Sequence, residues 1–283
     1  MKTIKIAGVP EHFNLPWQLC IENGEFEAMG IDLQWTDIPE GTGKMCQMLR
    51  DGETDMAVIL TEGIVKDIVA GNDCSIVQVY VQSPLIWGIH VAASSKYNSL
   101  ADLENTKVAI SRYGSGSHLM AFVNAQDQNW NTDKLEFETV NTIDGAVEAL
   151  TNGTADYFMW ERFMTKPLVD KGIFRRVADC LTPWPSFVIV VRNEFLEANR
   201  QSVALILETI NNTTIEFKDI PSIDRTLASR YNQKPEDIRE WLSLTKWSQK
   251  PLEEKVLNNI QNQLFDLKII EKKGTFAEIV KAV

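Results

Sequence analysis

The chain has 283 residues, of which 44% are hydrophobic and 24% charged, the composition of a folded globular protein with one large or two ordinary domains. Its formal net charge of −11 would repel a phosphate backbone, so nucleic acid is not an expected partner. No apolar run approaches the ~20 residues of a membrane-spanning helix, and we expect no membrane insertion.

Location and redox state are indicated by the first residues and by the cysteines. The opening MKTIKIAGVP has no apolar segment typical of a signal peptide, so this sequence predicts a cytoplasmic protein, or a periplasmic or lipid-anchored one if a leader has been removed. The four cysteines are scattered without a CxxC pair, which favours free thiols over a disulfide framework or a structural zinc site. No metal or other cofactor is expected.

The first predicted element is a buried strand over residues 4–9, followed by a helix that Asn14 can cap, with Pro16 in its first turn. The turn between them belongs to GVPEHFNLPW, residues 8–17, and carries more functional groups than a connector needs. Its candidate ligand contacts are Glu11, His12, Phe13 and Asn14. Further along, residues 31–36 and 56–60 are predicted strands, and residues 42–49 a helix.

The chain then repeats this plan. Residues 5–7 (KIA) match residues 107–109 (KVA), and residues 49–55 (LRDGETD) match residues 150–156 (LTNGTAD), at offsets of 107 − 5 = 102 and 150 − 49 = 101. In the second copy, strands are predicted at 108–111, 135–140 and 157–160, and helices at 117–128 and 143–150. Alternating strands and helices predict an α/β fold with largely parallel sheets.

Two extended stretches, residues 76–93 and 186–192, can carry the chain between the copies, and the remainder is mostly helical. This predicts a first lobe of residues 1–86 and 193–283 and a second lobe of residues 87–192, joined by two hinge strands. Such lobes can close on a ligand.

Ligands of open α/β sheets bind outside the carboxyl ends of the strands, and we expect the loops at those ends to meet in one cleft. Besides the opening turn, the candidates there are Thr61, Glu62, Arg112, Ser115, Gly116, Ser117, His118, Trp160 and Glu161.

Each of these groups allows two interpretations. The GSGSH segment, residues 114–118, can offer backbone N–H groups to an anion or merely cap a helix, and it lacks the Lys-Ser/Thr ending of a nucleotide loop. Glu62 and Glu161, which we expect at matching strand ends of the two copies, can accept from an amine with Trp160 as a stacking face, or cap helices with Trp160 in the core.

The remaining alternatives concern the two basic side chains of these loops. His12 is either a ligand donor or a loop histidine bonded to backbone, and Arg112 binds an anion or pairs with Glu11 or Asp102. No GxSxG elbow, HExxH motif or cysteine–histidine pair is evident, so no catalytic residue is predicted.

Four segments of the second copy carry a resemblance to a known family: WGIHVA (residues 87–92), SLADL (99–103), KVA (107–109) and RYGSGSH (112–118). In these segments the chain resembles the type II periplasmic-binding-protein-like family, in its NMT1/THI5-like and nitrate/sulfonate/taurine solute-binding branch. The likeness extends over roughly the first two-thirds of the chain.

The resemblance implies a two-lobed α/β fold that holds a small molecule between its lobes by hinge closure, with an ABC-transporter permease as a possible partner. By likeness, the ligand is an aminopyrimidine or a sulfonate or nitrate, and the ligand loops are those with Asn14, Thr61, residues 115–118 and residues 160–161. The cysteine-rich motif of pyrimidine-synthesising relatives is absent. We therefore expect a binding protein rather than an enzyme, the alternatives being a menaquinone-synthesis-type lyase and a cytoplasmic ligand sensor.

Overall fold

In the computed structural model, which describes residues 1–283, the chain divides into two units. The first comprises Met1–Ser83 and Trp184–Val283, and the second comprises Pro84–Pro183. Each unit is one five-stranded sheet with helices, which confirms the predicted α/β class. No helix combines the length and the apolar character that a membrane span requires.

The sheet of the first unit has the strand order β2-β1-β3-β10-β4. Neighbouring strands are parallel except at β10, which runs antiparallel to both β3 and β4. The central strands are continuous apolar runs because both of their faces are covered. The five strands are β1 (Lys2–Gly8), β2 (Ile31–Asp37), β3 (Met56–Leu60), β4 (Cys74–Val81) and β10 (Phe187–Arg192).

Eight helices belong to the first unit, three of them between its first strands and five in the C-terminal part of the chain. They are α1 (Leu15–Glu22), α2 (Thr42–Asp51), α3 (Thr61–Val69), α7 (Asn193–Glu216), α8 (Ile223–Arg230), α9 (Pro235–Leu244), α10 (Glu254–Asp266) and α11 (Phe276–Ile279).

The second unit has the corresponding strand order, β7-β6-β8-β5-β9, with β5 antiparallel to β8 and β9. Its strands are β5 (Ile86–Ala92), β6 (Lys107–Ile110), β7 (Glu136–Thr139), β8 (Tyr157–Glu161) and β9 (Phe174–Leu181). Its helices are α4 (Gly116–Asp127), α5 (Ile143–Asn152) and α6 (Arg162–Asp170).

The sequence repeat is a structural repeat. Asp55 donates its N–H to the carbonyl of Lys5 (3.0 Å), and its Oδ2 accepts from the N–H of Lys5 (2.9 Å). Asp156 makes the same two bonds with Lys107, both at 2.8 Å. The repeated Gly-x-x-Asp sequence thus brings each third strand beside the first strand of its own copy.

The second crossing of the chain lies earlier than predicted. Residues 184–192 belong to the first unit, whereas the sequence analysis placed residues 87–192 in the second lobe. The physical reason is that β10 pairs on both sides within the first sheet, with Val190 opposite Ala57 of β3 and opposite Ile76 of β4. An apolar strand of this kind fits a buried position in either sheet, so its pattern alone does not assign it.

All four cysteines are free thiols and are buried: Cys20, Cys46, Cys74 and Cys180. Burial raises the pKa of Cys20, Cys74 and Cys180 to about 12, so their reactive thiolate forms are scarce at neutral pH.

We therefore expect a maleimide reagent to label the native protein very slowly and to label four thiols per chain after unfolding without reductant. Mass spectrometry of the labelled protein counts the thiols. Rapid labelling of the native chain, or a pair that reacts only after reduction, would contradict this expectation.

Candidate functional site

The opening turn of the first unit places Asn14 at the carboxyl end of β1. A 3-10 helix, His12–Asn14, follows the turn and leads into α1. The side chain of Asn14 is buried, and its Nδ2 donates to the carbonyl of Val9 (2.8 Å). That bond identifies the other atom, Oδ1, as an acceptor, and it has no partner in the structure.

His12 is enclosed by aromatic side chains from the C-terminal helices. Its ring stacks on Trp241 at 4.4 Å between centroids, and its Nε2 lies 3.4 Å from Nε2 of Gln233. Burial lowers the pKa of His12 to about 3, so the imidazole is neutral near pH 7. The alternative of a loop histidine bonded to backbone does not describe this ring, because its contacts are with the side chains of Trp241 and Gln233.

Glu11 and Phe13 flank His12. Desolvation raises the pKa of the Glu11 carboxyl to about 7. The ring of Phe13 lies 5.1 Å from that of Phe187, and Phe187 pairs with Leu60, the last residue of β3. The opening turn and the carboxyl end of β3 are therefore neighbours within the first unit.

Thr61 and Glu62 begin α3 at the carboxyl end of β3. Thr61 donates its hydroxyl to the carbonyl of Pro185 (2.6 Å). Oε2 of Glu62 accepts from Nε1 of Trp184 (2.8 Å), while Oε1 is buried without a partner. Burial raises the pKa of Glu62 to about 7, so the carboxyl titrates near neutrality.

Two tryptophans of this edge were missed in the sequence analysis. Trp184 lies 122 residues from Glu62, and no local pattern connects them. Trp35, on β2, lies over Gly8, where a Cβ would be only 2.4 Å from its ring. Gly8, the last residue of β1, could have predicted that a side chain approaches the backbone closely here, because glycine has no Cβ.

In the second unit, the serines of the GSGSH segment bond mainly to one another. Ser115 is the N-cap of α4 and accepts from the N–H of His118 (3.4 Å). Oγ of Ser117 accepts from the N–H of Ser111 (2.9 Å) and lies 3.1 Å from Oγ of Ser115. The hydroxyls therefore fix the loop, as the capping interpretation predicted.

The backbone of the same loop has donors left over. The N–H of Gly114 donates to Nδ1 of His118 (3.1 Å), and that of Ser115 donates to the carbonyl of Arg112 (3.2 Å). Gly116 and Ser117 are the first two residues of α4, and N–H groups at these positions have no acceptor within a helix. These two N–H groups can therefore donate to an anion or to another acceptor.

Arg112 adds a positive charge beside this helix start. Its side chain is exposed. Asp102, one of its expected partners, instead accepts from the backbone N–H groups of Asn98 (2.8 Å) and Ser99 (2.9 Å). Arg112 does not pair with Asp102, and its predicted role in binding an anion stays a prediction.

Glu161 and Glu62 are not equivalent, contrary to the sequence analysis. In the repeat frame that aligns Asp55 with Asp156, Glu161 corresponds to Leu60. Oε2 of Glu161 accepts from the N–H of Met164 (2.7 Å) and caps α6, which is the helix-capping interpretation.

Trp160 is half-buried rather than a free stacking face. Its ring stacks on Phe158 with a centroid distance of 5.4 Å and an interplanar angle of 19°, and it packs against the core of the second unit. The contact of Trp160 with Phe158 therefore agrees with the alternative that placed Trp160 in the core.

The fold is shared with known proteins. Residues 87–180, about a third of the 283 residues, match the family model of Ca3427-like periplasmic binding proteins. The conserved CA3427 gene product of Candida albicans, described as having the generic periplasmic-binding-protein fold, superposes with a TM-score of 0.90 at 22% identity, covering 100% of this chain and 97% of that one. This chain has the type II periplasmic-binding-protein fold.

Two further structures with this fold are named for sulfonates. The alkanesulfonate-binding protein SsuA of Xanthomonas axonopodis pv. citri, bound to MOPS, has a TM-score of 0.84 and 16% identity, with 100% and 99% of the two chains covered. The aliphatic sulphonate-binding protein SsuA of Escherichia coli has a TM-score of 0.77 and 17% identity, with 99% and 92% covered. No curated protein sequence matches the chain.

Proposed function

We propose that this protein binds a small polar molecule and acts as a solute-binding protein that catalyses no reaction. The observation that carries the proposal is that polar groups at the carboxyl ends of the strands are left without protein partners. They are Oδ1 of Asn14 and Oε1 of Glu62 in the first unit, and in the second unit the N–H groups of Gly116 and Ser117, which have no acceptor within α4. Buried polar groups are normally paired, so an absent partner is expected at such an edge.

Hinge closure of two lobes around the ligand is the mechanism that the fold favours, and it forms part of the proposal. The ligand class we propose is an aminopyrimidine or a sulfonate or nitrate. The names of the two SsuA proteins support the second class, and the unpaired acceptors of the first unit support the first.

The test is to screen a panel of aminopyrimidines, alkylsulfonates and nitrate by thermal shift, while mass spectrometry follows each compound. Binding stabilises the folded state, by ~2.7 kcal/mol when the ligand is at a hundred times its Kd. A shift with the compound left intact supports the proposal, whereas consumption of the compound would support the alternative of an enzyme on this scaffold. Native mass spectrometry of the purified protein adds a search for a co-purified ligand.

We extend the proposal to an ABC-transporter permease as partner only if the protein is located outside the cytoplasm. Fractionation of the source cells decides this point. Recovery of the protein in the cytoplasm would favour a ligand sensor that uses the same binding site.

A further inference from the structure

Among the buried side-chain atoms of the first unit that lack a hydrogen-bond partner, two acceptors lie where β1 and β3 end. Asn14 and Glu62 are each 2% exposed, and Oδ1 of the first and Oε1 of the second have no hydrogen-bond partner. Leaving a buried acceptor unpaired costs about 1–3 kcal/mol, and more for a charged group. Two such atoms at neighbouring strand ends indicate a missing group that donates hydrogen bonds.

Neighbouring groups fix Oδ1 of Asn14 as an acceptor, and Oε1 of Glu62 is an acceptor in the ionised form that predominates at pH 8. Nδ2 of Asn14 must face the carbonyl of Val9, to which it donates, so Oδ1 is the atom left over. Oε2 of Glu62 is held by Trp184, so Oε1 is the oxygen that remains. An ionised carboxylate can only accept, and an asparagine carbonyl can only accept.

The two side chains lie on adjoining elements. β1 and β3 are parallel neighbours, with Ala7 opposite Ala57, so the segments that follow them leave the sheet side by side. The contact of Phe13 with Phe187, which pairs with Leu60, fixes the opening turn beside the start of α3. One donor group, such as an amine with two N–H bonds, could serve both acceptors.

We propose that the first unit recognises an amino group of the ligand through Glu62 and Asn14, so that the protein selects amine-bearing molecules. This inference rests on the proposed function and narrows its ligand class. A titration of the Glu62 carboxyl near pH 7 supports it, since a bound amine supplies the partner that the ionised form needs. A bare anion would instead meet two acceptors and be repelled.

The experiment compares 4-aminopyrimidine with 4-methylpyrimidine, probes of similar shape in which a methyl group replaces the amine. We expect the wild-type protein to bind the amine at least tenfold more tightly in isothermal titration calorimetry at pH 8. Equal affinities would overturn the inference without any variant.

Glu62→Gln tests the residue itself. The glutamine carbonyl can still accept from Trp184, while its NH₂ group faces the missing partner and replaces an acceptor with a donor. We expect a ten- to hundredfold loss of affinity for 4-aminopyrimidine, and circular dichroism checks that the variant is folded. Glu208→Gln is the matched control, because Glu208 is exposed on α7 and the change removes the same charge.

The outcomes separate this inference from the proposed function. If the protein binds ethanesulfonate or nitrate but shows no preference for the amine, or if Glu62→Gln strengthens the binding of those anions, the amine inference is wrong and the proposed function stands. If no compound of the panel binds, both are wrong.

Discussion

Replacing Gly116 by proline should weaken the binding of the ligand about ten- to hundredfold, because it removes one backbone donor from the start of α4. A charge-assisted hydrogen bond contributes about 1.5–3 kcal/mol, and 1.4 kcal/mol corresponds to a tenfold change in Kd. The probe is the compound that gives the largest thermal shift, and calorimetry measures its Kd.

The helix itself should tolerate this change. Gly116 is the first helical residue of α4, the position where proline is favoured because the N–H has no partner within the helix. Ser115 before it has φ −79° and ψ 171°, the extended conformation that a residue preceding proline prefers. Ser115 is a poorer target, since its own N–H donates to the carbonyl of Arg112.

Gly116→Ala is the matched control, because it keeps the N–H and adds one methyl group. We expect it to bind the ligand far more tightly than Gly116→Pro does. Equal affinity of the proline variant and the wild type, with both folded, would show that this N–H does not contact the ligand.

Local patterns in the sequence were enough to predict the layered fold and the loops at the strand ends. The apolar run at residues 4–9 became β1 (Lys2–Gly8), and the serine and glycines before residue 117 became the start of α4. These features depend on neighbours within a few residues, so that composition and periodicity report them. The repeat added the prediction of two similar copies.

The partners of the site residues could not be predicted in the same way. Glu62 bonds to Trp184, and His12 stacks on Trp241, across 122 and 229 residues of chain respectively. Such contacts depend on how β10 and the C-terminal helices pack on the first sheet. Which of several aromatic residues reaches a given turn is decided by that packing and leaves no periodic signal.

The role of Glu161 was within reach of the sequence. Counting from Asp156 in the repeat places it opposite Leu60, directly before a helix, where a side-chain oxygen can accept from the N–H groups of the first turn. The expectation that Glu62 and Glu161 lie at matching positions did not take this offset into account. Glu62 lies two residues after Leu60, on the first turn of α3, whereas Glu161 lies at the N-cap of α6.

Replacing Gly145 by alanine should destabilise the second unit by about 1–3 kcal/mol, the usual cost of forcing extra atoms into a packed site. Alanine normally stabilises a helix relative to glycine by about 0.5–1 kcal/mol, so the expected sign is the opposite of the helix propensity. The reason is that a Cβ on Gly145 would lie 2.0 Å from the backbone oxygen of Val140. A backbone atom cannot turn aside as a side chain can.

Chemical denaturation measures this loss of free energy of unfolding, with Asp144→Ala as the control because Asp144 is the exposed preceding residue of α5.

Gly145→Ala should also weaken ligand binding. The N–H of Asn141, the residue after Val140, donates to the carbonyl of Ser111 (3.0 Å), and the N–H of Ser111 donates to Oγ of Ser117. A displacement of Val140 therefore passes through two hydrogen bonds to the start of α4. A Gly145→Ala variant as stable as the wild type would contradict the steric argument. A destabilised variant with unchanged affinity would show that the Ser111 connection does not position the donors of α4.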